Sequence, residues 1–148
     1  MKRLTIVFCT FLFSINLTIS QDHQKFVNYP KNIDDALSIE EKAMIIEVYG
    51  EDAAEKYIFS IPQRLKDTKH ILRNRFEIVE LKNKDLSKLK KLSEIPIFDV
   101  YMDIKRDQTI DLENFNPLKY QFNFYGKLSQ YVRIDNTSYV IIIKSQFE

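Results

Sequence analysis

The chain has 148 residues, with 22 basic side chains against 21 acidic ones. That balance gives no general electrostatic reason to bind nucleic acid. Its two glycines, Gly50 and Gly126, are far apart, which excludes the clustered backbone amides of a P-loop or Rossmann phosphate loop. One cysteine (Cys9) and two histidines (His23 and His70) exclude a disulfide framework and a His-rich zinc site.

In chain order, residues 1–20 come first. Lys2 and Arg3 form a positive head, and residues 4–19 are mainly apolar but interrupted by Thr5, Thr10, Ser14, Asn16 and Thr18. Thr18 and Ser20 place small side chains just before the polar pair Gln21-Asp22. This is the pattern of a secretory signal peptide, too short and broken for a membrane span. Cys9 lies within the apolar stretch rather than after it, so it does not fit a lipoprotein acylation site. The mature chain is then cysteine-free, has no transmembrane segment, and carries a net charge of −1 once Lys2 and Arg3 are removed. The excess of Lys over Arg, with abundant Ile and Asn, reads as an AT-rich bacterial genome. The expected destination is the periplasm, the outer surface or the medium.

Residues 21–32 read as a loose polar lead-in, and 33–148 as a single domain. Ser38-Ile39-Glu40-Glu41 is a capping box that starts a helix over 39–49, and Gly50 is a natural stop. A second helix carries Ala54, Tyr57, Ile58 and Ile61 at helical spacing. A third starts at Pro62 and ends near Arg73-Asn74-Arg75. Residues 76–81 read as a strand, and Asp85 is expected to cap a short helix bearing Leu86, Leu89 and Leu92. The stretch 97–117 is the least legible. After it, Tyr120, Phe122 and Phe124 alternate with Gln121 and Asn123, then 130–134 and 139–143 follow as strands, with Asn136 suited to a left-handed turn position between them. Helices leading and strands trailing predict an α+β fold. About three N-terminal helices, plus one short helix, should pack on one face of a small antiparallel sheet ending in a C-terminal β-meander.

Three constellations bear on chemistry. Asp99, Asp103, Asp107 and Asp111 recur every four residues with Glu113 close behind, the material for a carboxylate pair if the segment were helical. Pro96 and Pro117 flank it and its apolar residues keep no helical period, so a turn-rich connection is preferred. His70 could act as a base, but its cationic neighbours favour the neutral ring of a helix-surface histidine. Arg64, Lys66, Lys69, Arg73, Lys82, Lys84, Lys88, Lys90 and Lys91 make residues 62–91 basic, at net +6, directly after an acidic stretch over 21–61 at net −5. The basic stretch offers a surface for an anionic component, or a partner for the acidic stretch within the same chain. The aromatics at 120, 122 and 124 offer a ligand platform or a core face, and core is preferred.

The sequence points to a small exported bacterial protein, non-enzymatic, that binds an envelope or secreted protein or an anionic surface component through its basic stretch. No cofactor and no metal are expected. The alternative is an exported hydrolase using paired carboxylates in residues 99–113.

Overall fold

The computed structural model describes residues 27–148. The expected signal peptide at 1–20 and the lead-in as far as residue 26 lie outside them. The fold is α+β, with two α-helices and a four-stranded mixed sheet. Helix α1 (Ile39–Ala54) begins with the expected capping box: the Ser38 hydroxyl accepts from the Glu41 amide at 3.1 Å, and the Glu41 carboxylate accepts from the Ser38 amide at 2.8 Å. It buries Ile45, Val48 and Ala54. At Gly50 the backbone leaves helical space (φ 72°, ψ 162°), then resumes it.

Helix α2 (Pro62–His70) starts on a proline in its first turn. Each helix runs on into a π-helical turn, Glu55–Phe59 after α1 and Ile71–Arg75 after α2. The helix number expected from sequence is therefore corrected. The separate second helix is the end of α1 beyond Gly50 with its π turn.

Strands β1 (Phe76–Glu80), β2 (Lys90–Lys91), β3 (Gln130–Arg133) and β4 (Tyr139–Ile143) lie in the order β1-β4-β3-β2. β4 is antiparallel to both β1 and β3, while β2 is parallel to β3, so the sheet is mixed rather than antiparallel. The continuous apolar run of β4 takes an interior position, as a strand covered on both faces requires. Asn136 takes φ 58° in the β3–β4 turn.

Two further expectations are corrected. Asp85 accepts from the Ser87 amide in a turn instead of capping a helix, and Leu92–Glu94 is a single 3-10 turn after β2. A leucine at every third position matches a three-residue repeat, and Lys90–Lys91 extend to pair with β3. Tyr120, Phe122 and Phe124 lie outside the four strands, where the meander had its first strand. Their amides bond locally, Phe122 to the Tyr120 carbonyl at 2.8 Å and Phe124 to the Phe122 carbonyl at 2.9 Å. Such three-residue turns keep side chains alternating without a neighbouring strand; the stretch touches strand-like pairing only at the bridge between Tyr120 and Ile97.

This aromatic stretch positions everything else. Phe115, Tyr120 and Phe122 pack on Val132, Ile141 and Ile143 of the sheet. Leu118 joins Ile45, Val48, Ala54, Ile58 and Ile71 of the helical layer, and Phe124 packs against both clusters. No α1 or α2 side chain belongs to the cluster on the sheet. The helices therefore lie on the aromatic stretch, which lies on the sheet, rather than on the sheet itself. Among the described residues, no helix is long and apolar enough to cross a membrane.

Candidate functional site

Two hollows flank the buried ring of Tyr120. The first, of about 400 Å³, opens between the helical layer and the aromatic stretch. Tyr49 enters from the α1 turn before Gly50, and Ile58 and Ile71 come from the two π turns. Arg64 and Thr68 lie one turn apart on α2. Phe98 and Val100 come from the loop after the 3-10 turn, while Leu118, Phe122, Phe124 and Tyr125 form the floor and far wall.

The loop is held by its rings. Phe98 lies 5.6 Å from Tyr49, and Tyr101 lies 5.2 Å from Tyr49 and 5.6 Å from Tyr57. Val100 and Tyr125 face water at 64% and 66% exposure. Arg64 is exposed and makes no ion pair among the described residues. Among the described residues, no Asp or Glu lines this hollow. Burial pushes the Tyr49 phenol up, and the Arg64 charge pulls against that shift.

The second hollow, of about 530 Å³, gathers Arg106, Asp107, Asp135 and Tyr139 and also reaches Tyr120. Its charged groups are already engaged. Arg106 donates to the carbonyls of Leu92 and Ile95 at 2.8 and 2.6 Å. Asp107 accepts from Lys119 and from the Tyr120 hydroxyl. Asp135 accepts from the Ser93 amide and hydroxyl at 2.9 and 2.7 Å. Burial by itself would raise the Asp135 carboxyl, but the Ser93 donors outweigh it and hold it below the ordinary range. Burial likewise would lower Lys119, yet Asp107 and Glu47 hold it above its ordinary value. Tyr120 is pushed up to about 12, first by burial and then by the Asp107 charge, so its hydroxyl stays a donor.

The acids of 99–113 are dispersed. Asp99 and Asp103 are exposed, Glu113 is exposed, and Asp111 caps a turn by accepting from Glu113 and Asn114. Only Asp107 reaches a hollow. Among the described residues, no group of three or more His, Cys, Asp or Glu is placed to hold a metal ion.

His70 is 2% exposed instead of lying on a helix surface. Its Nδ1 lies 3.4 Å from the Asn74 amide, Tyr29 packs against its ring, and its Nε2 has no hydrogen-bond partner among the described residues. Burial, then the charge of Arg75, lowers its pKa.

The basic stretch divides. Arg73 pairs with Glu41 at 2.5 Å and caps the carbonyl of Ala36, Lys69 donates to the Asp35 carbonyl, and Lys66 lies 3.8 Å from Asp34. The acidic stretch thus supplies their partners. Lys82 pairs with Glu80. Lys84 and Lys88 are exposed on the connection from β1 to β2, and Lys90 is exposed in β2 itself. Two strands separate β1 from β2, so Lys90 and Lys91 lie roughly 14 Å across the sheet from β1.

Sequence reasoning named Arg64 but missed Tyr49, Phe98, Val100 and Tyr125. The available signal was aromatic density on both sides of two polar loops; their convergence depends on the fold. No protein-family model, no curated protein and no solved structure matches this chain.

Proposed function

We propose that this chain is an exported, non-enzymatic binding protein that takes a small, largely apolar ligand into the aromatic hollow. One observation carries the reading: a concavity of about 400 Å³ walled by aromatic and aliphatic side chains, with a few polar groups at its edge. Ligand sites have this composition and scale. The other hollow supports an enzyme less well, because both of its carboxylates already accept from internal donors and Asp135 is held acidic, where hydrolysis by a carboxylate pair needs one proton-holding acid. The solvated lysines of the β1–β2 connection supply charge but no concave geometry. Export rests on the charged head, apolar stretch and small residues of 1–20.

The test is titration of the protein with N-phenyl-1-naphthylamine, an uncharged fluorophore that brightens in apolar sites. Saturable binding at one site per chain is expected. Val100→Asp, at an exposed position on the rim, should weaken it about tenfold with unchanged folding. Non-saturable partition, or equal binding by the variant, would remove the reading.

A further inference from the structure

The aromatic hollow has an electrostatic asymmetry that its apolar walls do not explain. Among the described residues, Arg64 is its only lining residue with a full charge. It projects from α2 into solvent, makes no ion pair among the described residues, and presents a fork of donors suited to a carboxylate. The basic side chains near it are otherwise committed: Arg73 to Glu41, Lys69 to a backbone carbonyl, Arg75 to the carbonyls of Phe124 and Lys144. The nearest acid on the same helix, Asp67, lies three residues on, does not line the hollow, and accepts from Tyr29 and Gln63.

The other polar residues that line the hollow, Thr68, Gln121 and Tyr125, are neutral, while Asp67 and Arg75 act on Tyr125 from outside the lining. Thr68 donates its hydroxyl proton to the Arg64 carbonyl at 2.8 Å. Gln121 donates to the Ile97 carbonyl at 2.9 Å, and Tyr125 is largely exposed. A ligand entering between Val100 and Tyr125 would therefore meet apolar wall along its body and, at its end, a cation that makes no ion pair among the described residues.

We propose that the hollow binds a free amphipathic carboxylate, with its apolar body between Phe98, Leu118 and Phe124 and its head on the Arg64 guanidinium. This deepens the binding reading above and rests on it. A hollow of this volume suits a body of about ten carbons, aliphatic or carrying one ring. Charge complementarity selects the head group: an alcohol would leave Arg64 solvated and gain nothing there, and an ammonium would be repelled. The occupant is a monomer in solution. A lipid still in its bilayer would keep its tail among other tails and away from the hollow.

The experiment displaces N-phenyl-1-naphthylamine from the protein with decanoate, decanol or decyltrimethylammonium, each below its micelle concentration. Decanoate is expected to displace about five- to tenfold more effectively than decanol, and the ammonium least, which is the range for one partly solvated charged contact. In Arg64→Gln the preference for decanoate over decanol should fall to about one, and in Arg64→Lys it should be largely retained. Equal displacement by decanoate and decanol in the natural protein would overturn the carboxylate assignment. So would a preference that survives Arg64→Gln. Capture by phosphatidylglycerol vesicles without any response to monomeric decanoate would overturn it in favour of a membrane surface. If the fluorophore itself never binds saturably, the hollow is not a ligand site, and the reading of the previous subsection fails with this one.

Discussion

Arg75 sits at 3% exposure where the π turn after α2 meets β1, and its guanidinium donates to the carbonyls of Phe124 and Lys144. Burial lowers its pKa, yet an arginine keeps its proton. The side chain ties the aromatic stretch to the chain end beyond β4, and its removal strands two carbonyls. Arg75→Met is expected to cost about 2–4 kcal/mol, read as a lower urea midpoint at unchanged slope. The Arg73–Glu41 pair allows a pH test. The bond from Arg73 is the largest influence lowering the Glu41 carboxyl below its usual 4.5. A lowered folded pKa means stability that is fully present above the unfolded value and is lost as pH falls through the folded one. Urea melts at pH 7 and at successive steps below 4.5 should therefore show a smaller acid loss in Glu41→Gln than in the natural protein. An equal loss in both would mean that the pair contributes nothing at neutral pH. His70 adds to acid sensitivity in a higher window. Its lowered pKa makes the folded state lose ground as pH drops below 6.5.

At the scale of elements, Gly50 decides the shape of α1. Its φ of 72° with ψ of 162° belongs to a region that side-chain-bearing residues almost never enter, and an added Cβ would lie 2.9 Å from the Met102 sulfur. Gly50→Ala should destabilise the protein by about 1–3 kcal/mol, measured by thermal or urea unfolding. Because Tyr49 and the Tyr101 loop meet beside this bend, fluorophore binding in the hollow should weaken as well. Gly50 was legible in the sequence as a breaker because only glycine makes that excursion freely. The capping box at Ser38, β1, β4 and the left-handed Asn136 were legible for the same kind of reason: each is dictated within a few residues. The stretch Tyr120 to Phe124 shows the limit. Its period-two burial was readable, with Tyr120 at 1% exposure, while its bonding was not, since local three-residue turns and a strand share one side-chain alternation. Lys90–Lys91 failed for a different reason. Two lysines carry no strand signal of their own and are extended only because β3 lies beside them.

The whole molecule is ordered as helices, aromatic stretch and sheet, and neither hollow is visible from any one segment. The lining of the first draws on α1, both π turns, α2, the loop at 98–100 and the aromatic stretch. Sequence periodicity locates faces, not the gaps where faces from distant segments fail to close, so the candidate site was out of reach while the fold class was not. The acids of 99–113 make the converse point. Their four-residue spacing is meaningful only on a helix, and the segment contains none. At this scale the export reading predicts processing. Expressed in a bacterium with its first twenty residues, the protein should be recovered outside the cytoplasm with Gln21 as its first residue by N-terminal sequencing. Recovery in the cytoplasm with Met1 retained would remove it.

Tyr120 is a party wall. Its ring lines both the hollow beside Arg64 and the hollow beside Arg106, Phe115 stacks on it at 5.3 Å, the Arg106 guanidinium lies over it at 5.7 Å, and its hydroxyl is moored to Asp107 while Lys119 joins that acid to Glu47 on α1. Because this one ring belongs to the walls of both hollows, replacing it alters the two of them together.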